Sequence, residues 1–291
     1  MRWKVKASQH GLTLGDFLKD EVNMSRRLVK TLKHKGGKML INDTEQGVRQ
    51  KLETEDVITV VFPKEVRAAN LVPVPMPLSI HYEDDFFIVM EKPANVAVMP
   101  GQNHQGNTIA NGLIAHYDKQ LLPYTVHVIT RLDRDTSGLL LIAKQAFSHS
   151  AMRSVEISRR YYALVEGAFP LGSGTINLPI RRHPDSIIER MVANDGKVAI
   201  THYQTLRVSN AYSFVDVHLE TGRTHQIRVH FSHLNHPLLG DDLYGGNLAL
   251  TNRQALHCHT LSFTHPFTKQ ALSFTSEWPL DLPQVDQLFD Q

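Results

Sequence analysis

The chain has 291 residues, 42% of them hydrophobic and 21% charged, with a formal net charge of +2. That is the composition of a folded globular protein with room for one large domain and a small one, and it excludes a disordered chain. The single Cys258 excludes an internal disulfide and a cysteine-based zinc cluster. The longest apolar runs, such as 139–143, are strand-sized and far short of the roughly 20 residues of a membrane helix. The opening MRWKVKASQHG lacks the apolar centre of a secretory signal, so the expectation is a cytoplasmic protein with no membrane partner.

Charge is distributed unevenly. Residues 1–64 hold 13 Lys/Arg against 8 Asp/Glu, a local net of +5, whereas the remainder holds 18 against 21. The asymmetry predicts a small phosphate-docking module attached to a near-neutral body.

In chain order, Leu14, Phe17 and Leu18 recur at helical spacing, as do Leu28 and Leu32 after Ser25, a candidate N-cap. Arg26, Arg27, Lys30, Lys33, Lys35 and Lys38 follow with no acidic residue among them, and Gly36-Gly37 ends the helix. A strand at 39–41, an Asn42-Asp43 turn and a second strand at 57–62 complete the segment. A merely solvated basic helix is the plain alternative, but six uncompensated cations favour RNA contact. From Pro63 to Pro77, prolines alternating with apolar residues predict an extended, stiff linker. Residues 78–90 then read as strand, turn, strand.

The body that follows predicts strands at 138–143, 160–166, 202–208 and 212–219. Helices are predicted at 108–118, 146–154 and 226–234. There is no regular strand–helix alternation and no repeat, so the expected class is α+β with a largely antiparallel mixed sheet.

Two stretches exceed what packing requires. TRLDRDTSG at 130–138 crowds charged and hydroxyl side chains at the mouth of an apolar strand, where loop-borne catalytic groups commonly sit, although Asp135, Thr136 and Ser137 also suit a turn. ETGRTHQIRVH at 220–230 places Gly222 where an unusual backbone conformation is allowed and Thr224 where it can cap a helix. Ile227, Phe231 and Leu234 then share one helix face, and Arg223 stands at the helix mouth. On its own, Arg223 is more simply a surface arginine.

The strings RLDRDTSGLLL, RRYYALVEG, ETGRTHQIRVHF and HPLLGDDLYGG occur in this order, preceded by IVMEKPANVAVMP and followed by LHCHTLSFTHPFT. Together they resemble the RluA/RluD-type family of RNA pseudouridine synthases over nearly the whole chain. The segment GLTLGDFL…SRRLVKTLKHKGGKMLIN…EDVITV resembles the RNA-binding module first named from ribosomal protein S-four. The resemblance implies an S-four-like module at 1–64, a Pro-rich linker at 65–77 and a catalytic domain of the pseudouridine synthase fold at 78–291.

It further implies that the chain isomerises uridine to pseudouridine in structured RNA with no cofactor and no metal, acting as a monomer. The RNA is ribosomal, from the large subunit, with transfer RNA the second choice. The reaction breaks the N1–C1′ glycosidic bond, turns the uracil and rejoins it through C5. A carboxylate serves as nucleophile or base at the sugar, and by resemblance that carboxylate is Asp133. Arg223 pairs with it, Tyr161 rather than Tyr162 stacks on the uracil, and Arg131 fills the gap left by the flipped base. Lys92-Pro93 shapes the loop on the substrate side. Many members carry His where this chain has Thr130.

Two competitors come from other classes. The 17 histidines, clustered at 225, 230, 233 and 236, raise a zinc hydrolase, but they lack metal-ligand spacing, and His257 and His259 read as structural groups. A catalytically idle RNA-binding or ribosome-assembly factor would need no intact set of Asp133, Tyr161 and Arg223. Cys258 reads as a small buried apolar residue.

Overall fold

The computed structural model describes residues 1–22, 24–34, 36–62, 65–101 and 106–289, without the side chains of Arg27 and Thr31. Four short strands, β1 (Arg2–Lys4), β2 (Lys38–Ile41), β3 (Thr44–Glu45) and β4 (Val57–Val61), form a sheet in the order β1-β4-β2-β3. Asn42 and Asp43 both take positive φ, as a tight hairpin turn between β2 and β3 requires. Two helical segments cover this sheet. The first opens at Leu14–Asp16 (α1), capped by Thr13, and continues as a π-turn over Phe17–Glu21. The second is α2 (Arg26–His34), whose Leu28 amide donates to Ser25 Oγ. Leu14, Leu18, Leu32 and Ile58 are sealed in a core of their own.

The body is built on a ten-stranded mixed sheet. Its strands are β5 (Ser79–Glu83), β6 (Phe87–Lys92), β7 (His127–Val128), β8 (Ser137–Ala143), β9 (Ile157–Glu166), β10 (Gly172–Asn177), β13 (Ile200–Val208), β14 (Tyr212–Leu219), β15 (Leu256–Thr264) and β16 (Ala271–Thr275). The path runs β10-β13-β14-β9-β15-β8-β6-β5, with β16 on β15 and β7 on β8. All pairings are antiparallel except β15–β8. β11 (Ile180–Arg182) and β12 (Arg190–Val192) form a separate ribbon. The helices are α3 (Ile109–Lys119), α4 (Ala146–Ala151), α5 (Gln226–His233) and α6 (Val285–Phe289).

Every residue of β8 is buried, which is why its sequence is continuously apolar from Gly138 on rather than alternating. β8 occupies the middle of the molecule, and the loop before it carries the first polar stretch. The strand and helix ranges expected for the body hold to within a few residues, and β7, β10, β15, β16, the ribbon and α6 are additions. β7 and the ribbon strands are two or three residues long and carry little alternation. β15 is long but buried on both faces and interrupted by His257 and His259, so it shows neither alternation nor a clean apolar run.

The 65–77 segment has no helix or strand but is strapped down. Glu65 accepts from the Ala146 amide and lies 2.6 Å from His127 Nε2, Arg67 reaches Asp118 and the Tyr124 carbonyl, and Asn111 donates to the Asn70 and Val72 carbonyls. Phe62 packs on Phe147, which stacks on Phe267, so the N-terminal core is continuous with the body at α4. No helix among the described residues is long and apolar enough to cross a membrane.

Candidate active site

Asp133 lies in the loop between β7 and β8, and that loop is held from several sides. Thr130 Oγ1 accepts from the Leu141 amide at 2.9 Å, and the Thr136 amide donates to the Asp133 carbonyl at 3.2 Å. Gly138 takes φ 111° where β8 runs beside β15, and a Cβ there would strike the Cys258 backbone. The glycine is therefore required by the parallel strand contact.

Two buried cations grip the backbone just after Asp133. Lys92 is fully buried and donates to the carbonyls of Pro93 (2.7 Å), Val96 (2.9 Å) and Arg134 (2.7 Å). Burial pulls its pKa down to about 7, with Asp135 and Asp133 pulling the other way. Arg253, also buried, donates to the Asp135 carbonyl at 3.1 Å and is itself held by Asp281 at 2.8 and 2.9 Å. The carbonyls of Arg134 and Asp135 are thus each fixed by a cation from outside the loop.

The Asp133 carboxylate is partly open, with 28% of its side chain exposed. Its Oδ2 accepts from Arg228 Nη1 at 3.2 Å and lies 3.8 Å from His225 Nε2. Arg228 comes from α5 and is locked from behind. Its Nε and Nη2 donate to the two oxygens of fully buried Asp241, both at 2.7 Å, and the guanidinium lies over the Tyr244 ring at 5.0 Å. Burial opposes its charge, but Asp241 and then Asp133 hold it protonated. His225 Nδ1 is 2.8 Å from the Tyr244 hydroxyl, and burial lowers the His225 pKa while Asp133 raises it.

Tyr161 and Tyr162 point to opposite faces of β9, as alternation requires. Tyr161 lines the Asp133 pocket and is buried, which pushes its hydroxyl pKa well above the ordinary value. Tyr162 stacks on His259 at 3.6 Å on the far side.

The structure brings Asp133, Tyr161, Arg223 and Arg131 around one narrow pocket, together with His225 and Arg228. It differs from expectation on the pairing. The guanidinium against Asp133 belongs to Arg228, whereas Arg223 is exposed and donates through Nε to the Val198 carbonyl at 2.8 Å. The reason is helical geometry. Arg228 lies within the buried part of α5, while Arg223 precedes the helix on its solvent side. Two local details also change. The N-cap is His225, with φ 56° and no side-chain cap bond, rather than Thr224. Gly222 has no positive φ, and a Cβ there would meet only the flexible end of the Arg159 side chain, so neither backbone conformation nor packing demands glycine at this position.

Sequence reasoning passed over Arg228, His225, Asp241 and Arg253. Arg228, His225 and Asp241 stood inside quoted motifs, and for Arg228 the usable signal was a cation among the apolar positions of a predicted helix. Nothing local marks Arg253 or Asp241 as a partner of residues more than a hundred or a dozen positions away. Arg131 is exposed, has no hydrogen-bond or ion-pair partner among the described residues, and borders the pocket and both grooves beside it. Those grooves have volumes of about 460 and 670 Å³.

Away from this cleft, Arg26, Lys30, Lys33 and Lys38 are exposed on α2 and β2, with no ion-pair partner among the described residues. Lys35 and the Arg27 side chain lie outside the described residues. The described histidines, carboxylates and cysteine form no group of three or more placed to hold a metal ion. His257 sits between Ser137 and Ser276, and His259 reaches Asp216.

Residues 86–233 match the family model described as RNA pseudouridylate synthase. The chain is 44% identical over 269 residues to an uncharacterized RNA pseudouridine synthase, YjbO, of Bacillus subtilis (strain 168), covering 91% of this chain and 95% of the relative. It is 36% identical over 270 residues to the ribosomal large subunit pseudouridine synthase D of Xylella fastidiosa (strain Temecula1 / ATCC 700964), covering 86% and 81%. Among solved structures, human RNA pseudouridylate synthase domain containing 1 superposes with a TM-score of 0.56 at 24% identity, covering 73% of this chain and 93% of that one, a likeness of fold.

Proposed function

The chain belongs to the RluA/RluD-type family of RNA pseudouridine synthases, and on that premise we propose that it isomerises a specific uridine of large-subunit ribosomal RNA with Asp133 as the reacting carboxylate. The observation that carries this reading is the Asp133 carboxylate itself. It is partly exposed at a narrow pocket, charge-paired to a locked Arg228, with Tyr161 on the adjoining wall. A carboxylate so placed can act at the ribose as nucleophile on C1′ or as base, releasing the uracil through N1. The base then turns and bonds C1′ through C5. The C5 proton leaves and N1 gains one, so neither oxidant nor energy source enters the balance.

Arg228 orients the carboxylate and supplies its counter-charge. Tyr161, kept a neutral phenol by burial, offers an apolar face to the uracil. Arg131, at the pocket mouth and without an internal partner, takes the space vacated by the flipped nucleotide. Arg223, between the pocket and the basic groove, contacts the backbone of the same RNA. The S-four-like reading of residues 1–64, with Arg26, Arg27, Lys30, Lys33, Lys35 and Lys38 as phosphate contacts, supports a large structured RNA, as does the name of the Xylella relative.

The test is to incubate the protein and its Asp133→Asn variant with unmodified total RNA, without added cofactor, and to map pseudouridine by carbodiimide-based sequencing. New pseudouridine in ribosomal RNA with wild type alone is expected, with the variant down at least about 10³-fold. Equal modification by both removes Asp133 from the chemistry. Modification by neither, with RNA binding intact, favours the idle binding factor.

A further inference from the structure

The two grooves beside the catalytic pocket differ sharply in chemistry. One is bounded by Arg181, Arg182, Arg190, Lys197 and Arg223 against a single carboxylate, Asp195, which suits a phosphate backbone. The other is walled by apolar side chains from separate elements: Val98 and Met99 after β6, Ile188 at the tip of the β11–β12 ribbon, and Leu243. Of its three arginines, two are already spent and only Arg131, at the edge it shares with the catalytic pocket, is not. Arg134 is bidentate to Asp135 at 2.7 and 2.8 Å, and Arg228 is taken by Asp241 and Asp133. Exposed Asp242 adds a further carboxylate to the rim. Met99 and Ile188 are 40% and 51% exposed and stand on separate elements lining the groove.

Extruding one nucleotide strips a stacking partner from its neighbours. A largely apolar groove, poorer in free cations than its neighbour, that shares Asp133 and Arg131 with the catalytic pocket is fitted to take up such a loss. Resting on the synthase reading above, we propose that the groove of Met99, Ile188 and Leu243 binds the unstacked nucleobase next to the target uridine, while the sugar–phosphate chain follows the basic groove. The preferred substrate is then a loop or bulge in which two adjacent bases leave the stack together, and fully paired RNA is a poor one.

The test uses an RNA fragment carrying the uridine mapped in the experiment above, intact or with an abasic site at its 5′ or its 3′ neighbour. Wild type and the Met99→Ser/Ile188→Ser variant are compared on each. Loss of the base at one of the two neighbours should lower wild-type kcat/KM about tenfold, the scale of one base–side-chain stack. The variant should lose the same factor on intact RNA and nothing more on the abasic RNA, where the two proteins turn over alike. That equality also shows the variant to be folded. Indifference of wild type to both abasic RNAs, or losses that multiply in the variant, would overturn the proposal. Failure of wild type on the intact fragment sinks the synthase reading itself and is a separate result.

Discussion

The molecule places positive charge in two opposite ways. Arg26, Lys30, Lys33 and Lys38 on α2 and β2 stand in solvent without an ion-pair partner among the described residues, whereas around Asp133 Lys92, Arg228 and Arg253 are buried and each donates to a named acceptor. An exposed cation is free to swap its hydration and counterions for phosphate, so it contributes reach, affinity and salt dependence. A buried cation has no such freedom. Its worth lies in fixing one geometry, because leaving either partner unpaired inside the protein is costly. The difference teaches that, on the proposed function, the front segment and the Asp133 loop should fail differently: one in binding, the other in turnover.

The pair Arg228 and Arg223 sharpens this comparison most. Arg228→Lys keeps the charge but loses the fork that spans Asp241 and Asp133, and turnover should fall roughly 100-fold with KM little changed. Arg223→Gln should instead raise KM several-fold at near-normal kcat. Steady-state kinetics on one RNA distinguishes them, and a reversed pattern would return Asp133's partnership to Arg223. Next is Arg253, which reaches the Asp135 carbonyl without lining the pocket. Arg253→Met should lower kcat about tenfold and unfolding free energy by about 2 kcal/mol, the cost of stranding a buried carbonyl. Urea melts alongside kinetics would show both effects, and loss of stability alone would make the residue merely structural.

A combined Arg26→Gln, Lys30→Gln, Lys33→Gln and Lys38→Gln variant should keep its kcat at saturating RNA. Its binding should weaken, with the slope of log affinity against log salt shallower by about 3. An unchanged slope would mean that these side chains are only a solvated face.

The smallest effect concerns pH. Burial lowers His257 to about 4 from its ordinary 6.5, with Arg253 adding to the shift. The unfolded chain therefore takes up the proton first, so stability should fall as pH drops from 6.5 towards 4, by at most about 3 kcal/mol. His257→Gln should flatten that decline in denaturation midpoints between pH 7 and 4.5, and an equally steep decline would assign it elsewhere.

Much of the sheet was legible because β8, β9, β13 and β14 are long and carry clear apolar patterns, whereas equally long β15 is broken up by buried histidines. The polar loop that carries Asp133 was legible because hydroxyl and charged residues crowd the start of a strand that is apolar from Gly138 on. The partner of Asp133 was not legible. Arg223 and Arg228 lie five residues apart in the same motif, and only the helix phase of α5 decides which one faces inward. Nor does a local pattern mark the partners of Lys92 and Arg253, since Arg134 and Asp135 receive them through backbone carbonyls and every residue has one.

By itself, then, the sequence determined the class of fold, the uneven charge and the ordered motifs that carry the family likeness. These depend on residue type and on spacing within one element. Tertiary structure decided the Arg228–Asp133–Asp241 chain, the two-cation grip on the loop and the contrast between the two grooves. These depend on side chains brought together from distant strands and helices, whose meeting is set by packing and not by any interval along the chain.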